Sequence, residues 1–169
     1  MPSKVLVLDT SVLCCWLRIP GKETAGPIDD PWDYERISTL LTGEEAAGSV
    51  FVLPLASLIE TGNHIAQAPD KRYDIACELA VYLKKAATAT SPWAVFTEQA
   101  ELWGAENLQL LADTWPKLAA ARVTIGDATI KNVAEYYAKA GSHVEILTGD
   151  EGLKAYQPAQ QIVAPRRRS

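Results

Sequence analysis

Asp9, Glu60, Asp127 and Asp150 each stand where an apolar run gives way to polar chain. Asp9 follows the run Lys4 to Leu8 (KVLVL), and Asp150 follows His143 to Thr148 (HVEILT) after a single glycine. Asp127 sits at the start of a helical pattern, and Glu60 lies on a helical pattern that follows Ser49 to Leu53 (SVFVL). Two unit charges about 4 Å apart repel by roughly 1 kcal/mol in water and by several times more in a partly dry cleft. Carboxylates gathered in one place must therefore take up protons or a cation. Oxygen-only donors suit Mg²⁺ or Mn²⁺, which keep several waters and also bind phosphate oxygens. Neither His nor Cys is spaced for a zinc site. The chemistry such a set supports is metal-assisted hydrolysis of a phosphodiester.

Each acid also has a purely structural explanation. Asp9 and Asp127 suit helix caps, Asp150 suits a turn, and Glu60 suits a solvated helix face. Thr10 and Ser11 can cap as well as Asp9 can, which leaves that carboxylate free. The joint placement of all four carries the inference. Their predicted positions fall on one rim of a single sheet, where open α/β folds put their ligands.

The elements that must create this rim are readable from periodicity. KVLVL is nearly continuous in apolar residues, as in a parallel strand buried on both faces, and a helix from Val12 to Leu17 follows. Ile19 to Asp33 carries Pro20, Gly21, Gly26, Pro27 and Pro31 and reads as a long loop or lid. A helix is expected from about Trp32 to Ala47, a strand over Ser49–Leu53, a helix from Pro54 to Ala66 and another over Lys71–Ala87. Two more helical stretches are expected between Thr97 and Ala121, punctuated by Pro92 and Pro116. A helix over Gly126–Ala140 ending at Gly141, a strand over His143–Thr148 and a last strand over Gln161–Ala164 complete the order. Strands alternating with helices predict an α/β fold, a three-layer α/β/α sandwich with a mostly parallel central sheet.

The 169 residues, 48% hydrophobic, suit one domain over residues 1–165 with insertions near 19–33 and 86–122 and a basic tail at 166–169. No run approaches the roughly 20 apolar residues that span a bilayer, so no membrane association and a cytoplasmic location are expected. Cys14, Cys15 and Cys77 form no metal or redox pattern and read as structural thiols. The formal charge of −5 has the wrong sign for coating nucleic acid by charge alone, so a nucleic-acid substrate needs local cations. Arg18, Lys131 and Lys154 are candidates for substrate binding, while Arg166 to Arg168 read as a solvated tail. Trp93, Trp103 and Trp115 read as packing anchors rather than base-stacking platforms.

The segments VLVLDTSVL around Asp9, VLPLASLIETG around Glu60, IGDATIKNVA around Asp127 and ILTGDEGLKAY around Asp150 carry a family pattern. On them the chain resembles the PIN domain family of metal-dependent nucleases across nearly its whole length. The resemblance implies that the four acids are both catalytic and metal-binding, holding one or two Mg²⁺ or Mn²⁺ ions. It implies endonucleolytic hydrolysis of RNA through a metal-activated water, with Ser11 and Thr148 orienting the ligands from behind. Many small members of the family resemble toxins of type II toxin–antitoxin pairs, so the partners it leaves open are an antitoxin protein and a second copy, besides RNA. The Pro-rich loop, the long helical region and the acidic charge depart from the compact toxins.

Two other classes compete. Haloacid dehalogenase phosphatases share the opening strand and acid but need a second aspartate two residues on, where this chain has Ser11. A catalytically silent RNA-binding or regulatory module would have no electrostatic reason to keep four repelling acids.

Overall fold

Alternation within KVLVL decides the architecture. Leu6 and Leu8 point to one side of their strand and Val5 and Val7 to the other, and all four are buried. A strand with two apolar faces needs helices on both. The computed structural model, which describes residues 3–159, supplies them. In chain order the elements are β1 (Lys4–Leu8), α1 (Thr10–Trp16), α2 (Tyr34–Ala46), β2 (Val50–Val52), α3 (Leu55–Gln67), α4 (Arg72–Ala87), a 3₁₀ segment (Phe96–Trp103), α5 (Ala105–Ala120), α6 (Ile125–Lys139), β3 (His143–Leu147) and α7 (Glu151–Lys154).

The described strands form one open parallel sheet in the order β2–β1–β3. Leu6, Leu8, Phe51, Leu53 and Leu147 pack with Val12, Leu13 and Cys15 of α1 and with Ile37 and Leu41 of α2. On the opposite face Val5, Val7, Val52, Val144 and Ile146 meet Ile130, Val133, Ala134 and Tyr137 of α6 and Leu153 of α7. A satellite cluster joins Cys14, Leu17 and Ile19 to Ile65 and Ala68 at the end of α3 and Ile75 and Leu79 of α4. Helices thus cover both faces of a parallel sheet, the α/β/α layering expected.

The outer edge of β2 is not left bare. Phe51 accepts from the amide of Ala94 (2.9 Å) and donates to the carbonyl of Pro92 (2.8 Å), so residues 92–94 pair with β2 like a short extra strand. Covering an edge in this way protects its hydrogen-bonding groups from another chain. Trp93 is buried here, edge-on to Phe51 and stacked with Tyr82 and Trp16.

Several expectations shift in detail. Helix α1 begins at Thr10 rather than Val12 because Asp9 itself is the cap. Pro54 is the residue before α3 rather than within it. The first stretch beyond Thr97 is 3₁₀ rather than α. Pro116 lies inside α5 instead of breaking it. No residue of α5 is buried, so the distortion that an interior proline imposes disturbs no core packing. Cys14 and Cys15 are buried as core thiols, whereas Cys77 is exposed on α4. The strand expected at Gln161–Ala164 and the Arg166–Arg168 run lie outside the described residues.

Leu6 is fully buried at the centre of the sheet, where truncation removes transfer energy and leaves a cavity. Leu6→Ala should lower unfolding free energy by about 3 to 4 kcal/mol, seen as an earlier urea midpoint with unchanged slope.

Candidate active site

Chain direction makes the site. β1 and β3 are parallel neighbours, yet the chain leaves β1 into α1 on one face and leaves β3 into α7 on the other. Diverging connections open a crevice beyond the carboxyl ends of the strands, the usual ligand position in such sheets. Asp9, Thr148, Gly149 and Asp150 all lie at this crevice.

Asp9 is 5% exposed and tied down thoroughly. Its amide donates to Leu147 O (3.0 Å), extending the β1–β3 ladder by one bond. Its Oδ2 accepts from the hydroxyls of Ser11 and Thr148, both at 2.7 Å, and from the Ser11 amide at 3.4 Å. Ser11 Oγ accepts in turn from the Gly149 amide (2.9 Å), and Thr148 Oγ1 from the Asp150 amide (2.9 Å). The two hydroxyls expected to orient ligands thus link the first and last acids in one network. The capping explanation also holds: Asp9 is the N-cap of α1 and Asp150 that of α7.

The other acids arrive on helices. Glu60, exposed on α3, accepts from Thr10 Oγ1 at 3.0 Å through Oε2. Its Oε1 lies where a Cβ on Gly126 would come within 2.8 Å, so Glu60 reaches the start of α6 and a side chain at that position would oblige its carboxylate to shift. Asp127 is in the first turn of α6, but Thr124 is the cap, accepting from the Asp127 amide at 3.1 Å. Among the described residues the bonds accepted by Asp9, Glu60 and Asp150 fall on a single oxygen each, Oδ2, Oε2 and Oδ1 respectively. The second oxygen of each accepts no described hydrogen bond.

The strongest sign that the four acids share one field is Asp127. Its carboxyl is pushed up to about 6 by burial first, then by Asp9 and Asp150; the Thr124 hydroxyl opposes this and Glu60 adds to it. Coulombic influence reaches farther than coordination. Among the described residues no three His, Cys, Asp or Glu side chains are gathered closely enough to hold a metal ion. The acids are coupled through space without being closed into a cage.

The loop at residues 19–33 leans on this edge. A Cβ on Gly149 would come within 2.7 Å of the Gly26 amide nitrogen and 3.0 Å of Ala25 Cβ, so backbone meets backbone beside Asp150. Ala25 and Trp32 close the loop as an antiparallel bridge, and Arg36 bonds Asp30 and Pro31 while stacking on Trp32. The loop is a braced wall of the crevice. Its Ile28 is fully exposed.

Of the candidate substrate-binding cations, Lys131 stands four residues after Asp127 on the same helix face, paired with Glu135 at 3.6 Å and 5.3 Å from the Tyr156 ring centre. Lys154 is exposed on α7. Arg18 stacks on Tyr34 at 3.8 Å, and no described bond joins it to the acids. A groove of about 550 Å³ between α5 and α6 is lined by Lys117, Ala128, Lys131, Asn132 and Tyr136 and begins beside the acids rather than over them. Thr10, Gly126 and Gly149 belong to the site but carry no charge. The signal that could have marked the glycines is their position directly before an acid in IGDAT and TGDEG.

Fold and site together define a parallel α/β domain with an acidic crevice at its topological switch point. No family model matches the chain, and neither a curated protein nor a solved structure matches it. No described helix is long and apolar enough to cross a membrane.

Because the native pKa of Asp127 lies above the unfolded value near 4, its ionised form opposes folding. The penalty is complete above pH 6 and absent below about pH 4. Asp127→Asn should therefore stabilise the metal-free protein at pH 7.5, by on the order of 1 kcal/mol after discounting for partial exposure to solvent. The gain should vanish in melts at pH 3.5.

Proposed function

We propose that this chain is a PIN-like endoribonuclease dependent on Mg²⁺ or Mn²⁺. The observation that carries the reading is Asp127 at the switch-point crevice, its carboxyl raised by burial first and then by each of the other three acids. A set made only of carboxylate and hydroxyl oxygens suits a hard divalent ion, and such ions typically keep waters and take only one or two carboxylates directly. Acids that are coupled but not closed into a cage fit a hydrated ion of that kind. Asp9, Glu60, Asp127 and Asp150 would hold it. Bound there, the ion supplies an activated water and offsets charge building on the phosphate oxygens.

The protein's own part is positional. Ser11 and Thr148 fix the Asp9 carboxylate by one oxygen, Thr10 does the same for Glu60, and the α7 amides do so for Asp150. Asp127, titrating near pH 6 without a ligand, is the acid whose charge a cation recovers most. Lys131 stands one turn away to meet a backbone phosphate, with Lys154 on the neighbouring α7. Residues 19–33 bound the crevice on the side of Asp150. An acidic protein with a braced wall and a long helical region fits a stand-alone nuclease better than a compact toxin. The toxin role, with an antitoxin partner, remains the narrower form of the proposal.

A second reading, a PIN-like RNA-binding or regulatory module without catalysis, is favoured by the lack of a closed three-acid group among the described residues. Incubation of a mixed RNA pool with wild type and Asp9→Asn, with and without Mn²⁺, separates the two. Cleavage should require Mn²⁺ and fall at least about 100-fold in the variant, the scale at which losing one electrostatic contributor usually registers. Equal activity in both proteins would sink the nuclease reading, and RNA binding without cleavage would favour the second.

Gly126→Ala offers a complementary test. The added methyl crowds the movable end of Glu60 and makes only an ordinary 3.7 Å contact with Thr124 Oγ1, and alanine is the better helix former. The variant should melt no lower than wild type, yet lose about tenfold in Mn²⁺-dependent cleavage, the scale at which disturbing ligand orientation usually registers.

A further inference from the structure

Helix α3 has an unusual start. Its N-cap residue is Pro54, which offers no side-chain cap, so the first amides need a partner from elsewhere. Gln99, from the 3₁₀ segment more than forty residues on, provides one. It is 2% exposed, its Oε1 accepts from the Leu55 amide at 3.3 Å, and its Nε2 donates to Leu53 O at 2.8 Å. One side-chain amide thereby bridges both sides of Pro54. The same stretch of chain is already fastened to β2, since Pro92 O and Ala94 N bond Phe51. Its Glu98 also accepts from Tyr137 OH of α6 at 2.7 Å. Residues 92–99 therefore form a continuous brace along β2, over the turn and into α3, with a tie to α6.

We infer that Gln99 is a positioning residue for the acidic crevice. By fixing where α3 begins, it sets where Glu60 stands against the start of α6. Glu60 lies less than two turns beyond the bridged turn, and its carboxylate stands against Gly126 at the start of α6. The region after Ala86 is then, at its beginning, a working part of the site's scaffold rather than an appendage for docking. This inference rests on the proposed metal-dependent reading for its functional meaning, while the brace can be tested without it.

Gln99→Met keeps the volume and removes both hydrogen bonds. Leu41→Ala, in α2 and remote from the crevice, serves as a control of comparable instability. Mn²⁺ affinity by calorimetry, well below both melting transitions, should fall about tenfold in Gln99→Met and stay at the wild-type value in Leu41→Ala. Amide exchange of the metal-free proteins should quicken over Leu55–Thr61 in Gln99→Met relative to β1. If Gln99→Met binds Mn²⁺ as wild type does, or the control loses as much, the positioning role is overturned. If wild type itself binds no Mn²⁺, the nuclease reading falls; the exchange data then decide the brace alone, faster exchange over α3 upholding it and unchanged exchange overturning it.

Discussion

The Asp9 carboxylate, buried at the mouth of the sheet and bonded through Oδ2 to Ser11 and Thr148, is the constraint on which the crevice depends. A buried charge is costly unless its hydrogen bonds are made, and here they come from two hydroxyls on segments almost 140 residues apart. Satisfying Asp9 therefore also fixes the exit from β3. Through Thr148 Oγ1 and Ser11 Oγ the network passes to the amides of Asp150 and Gly149. Local stability and site geometry are the same set of bonds.

Four negative charges in mutual range are tolerated because their solvation is graded. Asp9 is buried but has three donors, Glu60 and Asp150 reach solvent, and Asp127 lies between these extremes, its carboxyl raised by burial first and then by its acidic neighbours. This division explains why desolvation leads the causes at Asp127 and like charge follows. The helix amides of α1 and α7 contribute favourably, since both acids that follow strands also cap helices. Capping occupies one oxygen of each of these two carboxylates and leaves the other without a described bond.

Much of this was legible in the sequence for a simple reason: the sheet is short, parallel and buried, so its strands read as apolar runs and its acids as their terminators. KVLVL with Asp9 and HVEILT with Asp150 specify the crevice almost alone. Boundary errors arose where two residue types competed for one task, as when Asp9 rather than Thr10 or Ser11 capped α1. The pairing of residues 92–94 with β2 was invisible because three residues around a proline carry no strand periodicity. Gln99 was equally silent: a lone glutamine in a polar stretch has no pattern, and its meaning comes from Pro54, far away in sequence. The contacts at Gly126 and Gly149 likewise depend on neighbours brought in by tertiary structure.

Helix α5 shows the opposite economy. None of its sixteen residues is buried, and Leu108 and Leu110 are 41% and 59% exposed. Opening it would uncover only partly buried side chains such as Leu111, Trp115 and Leu118 and no core residue, which places it toward the less protected end among the described helices. A helix held so lightly can drift in composition or accept inserted residues at small thermodynamic expense, while the brace at residues 92–99 just before it cannot. The long excursion between α4 and α6 thus splits into a rigid opening half and a permissive closing one, with the divide near Gly104.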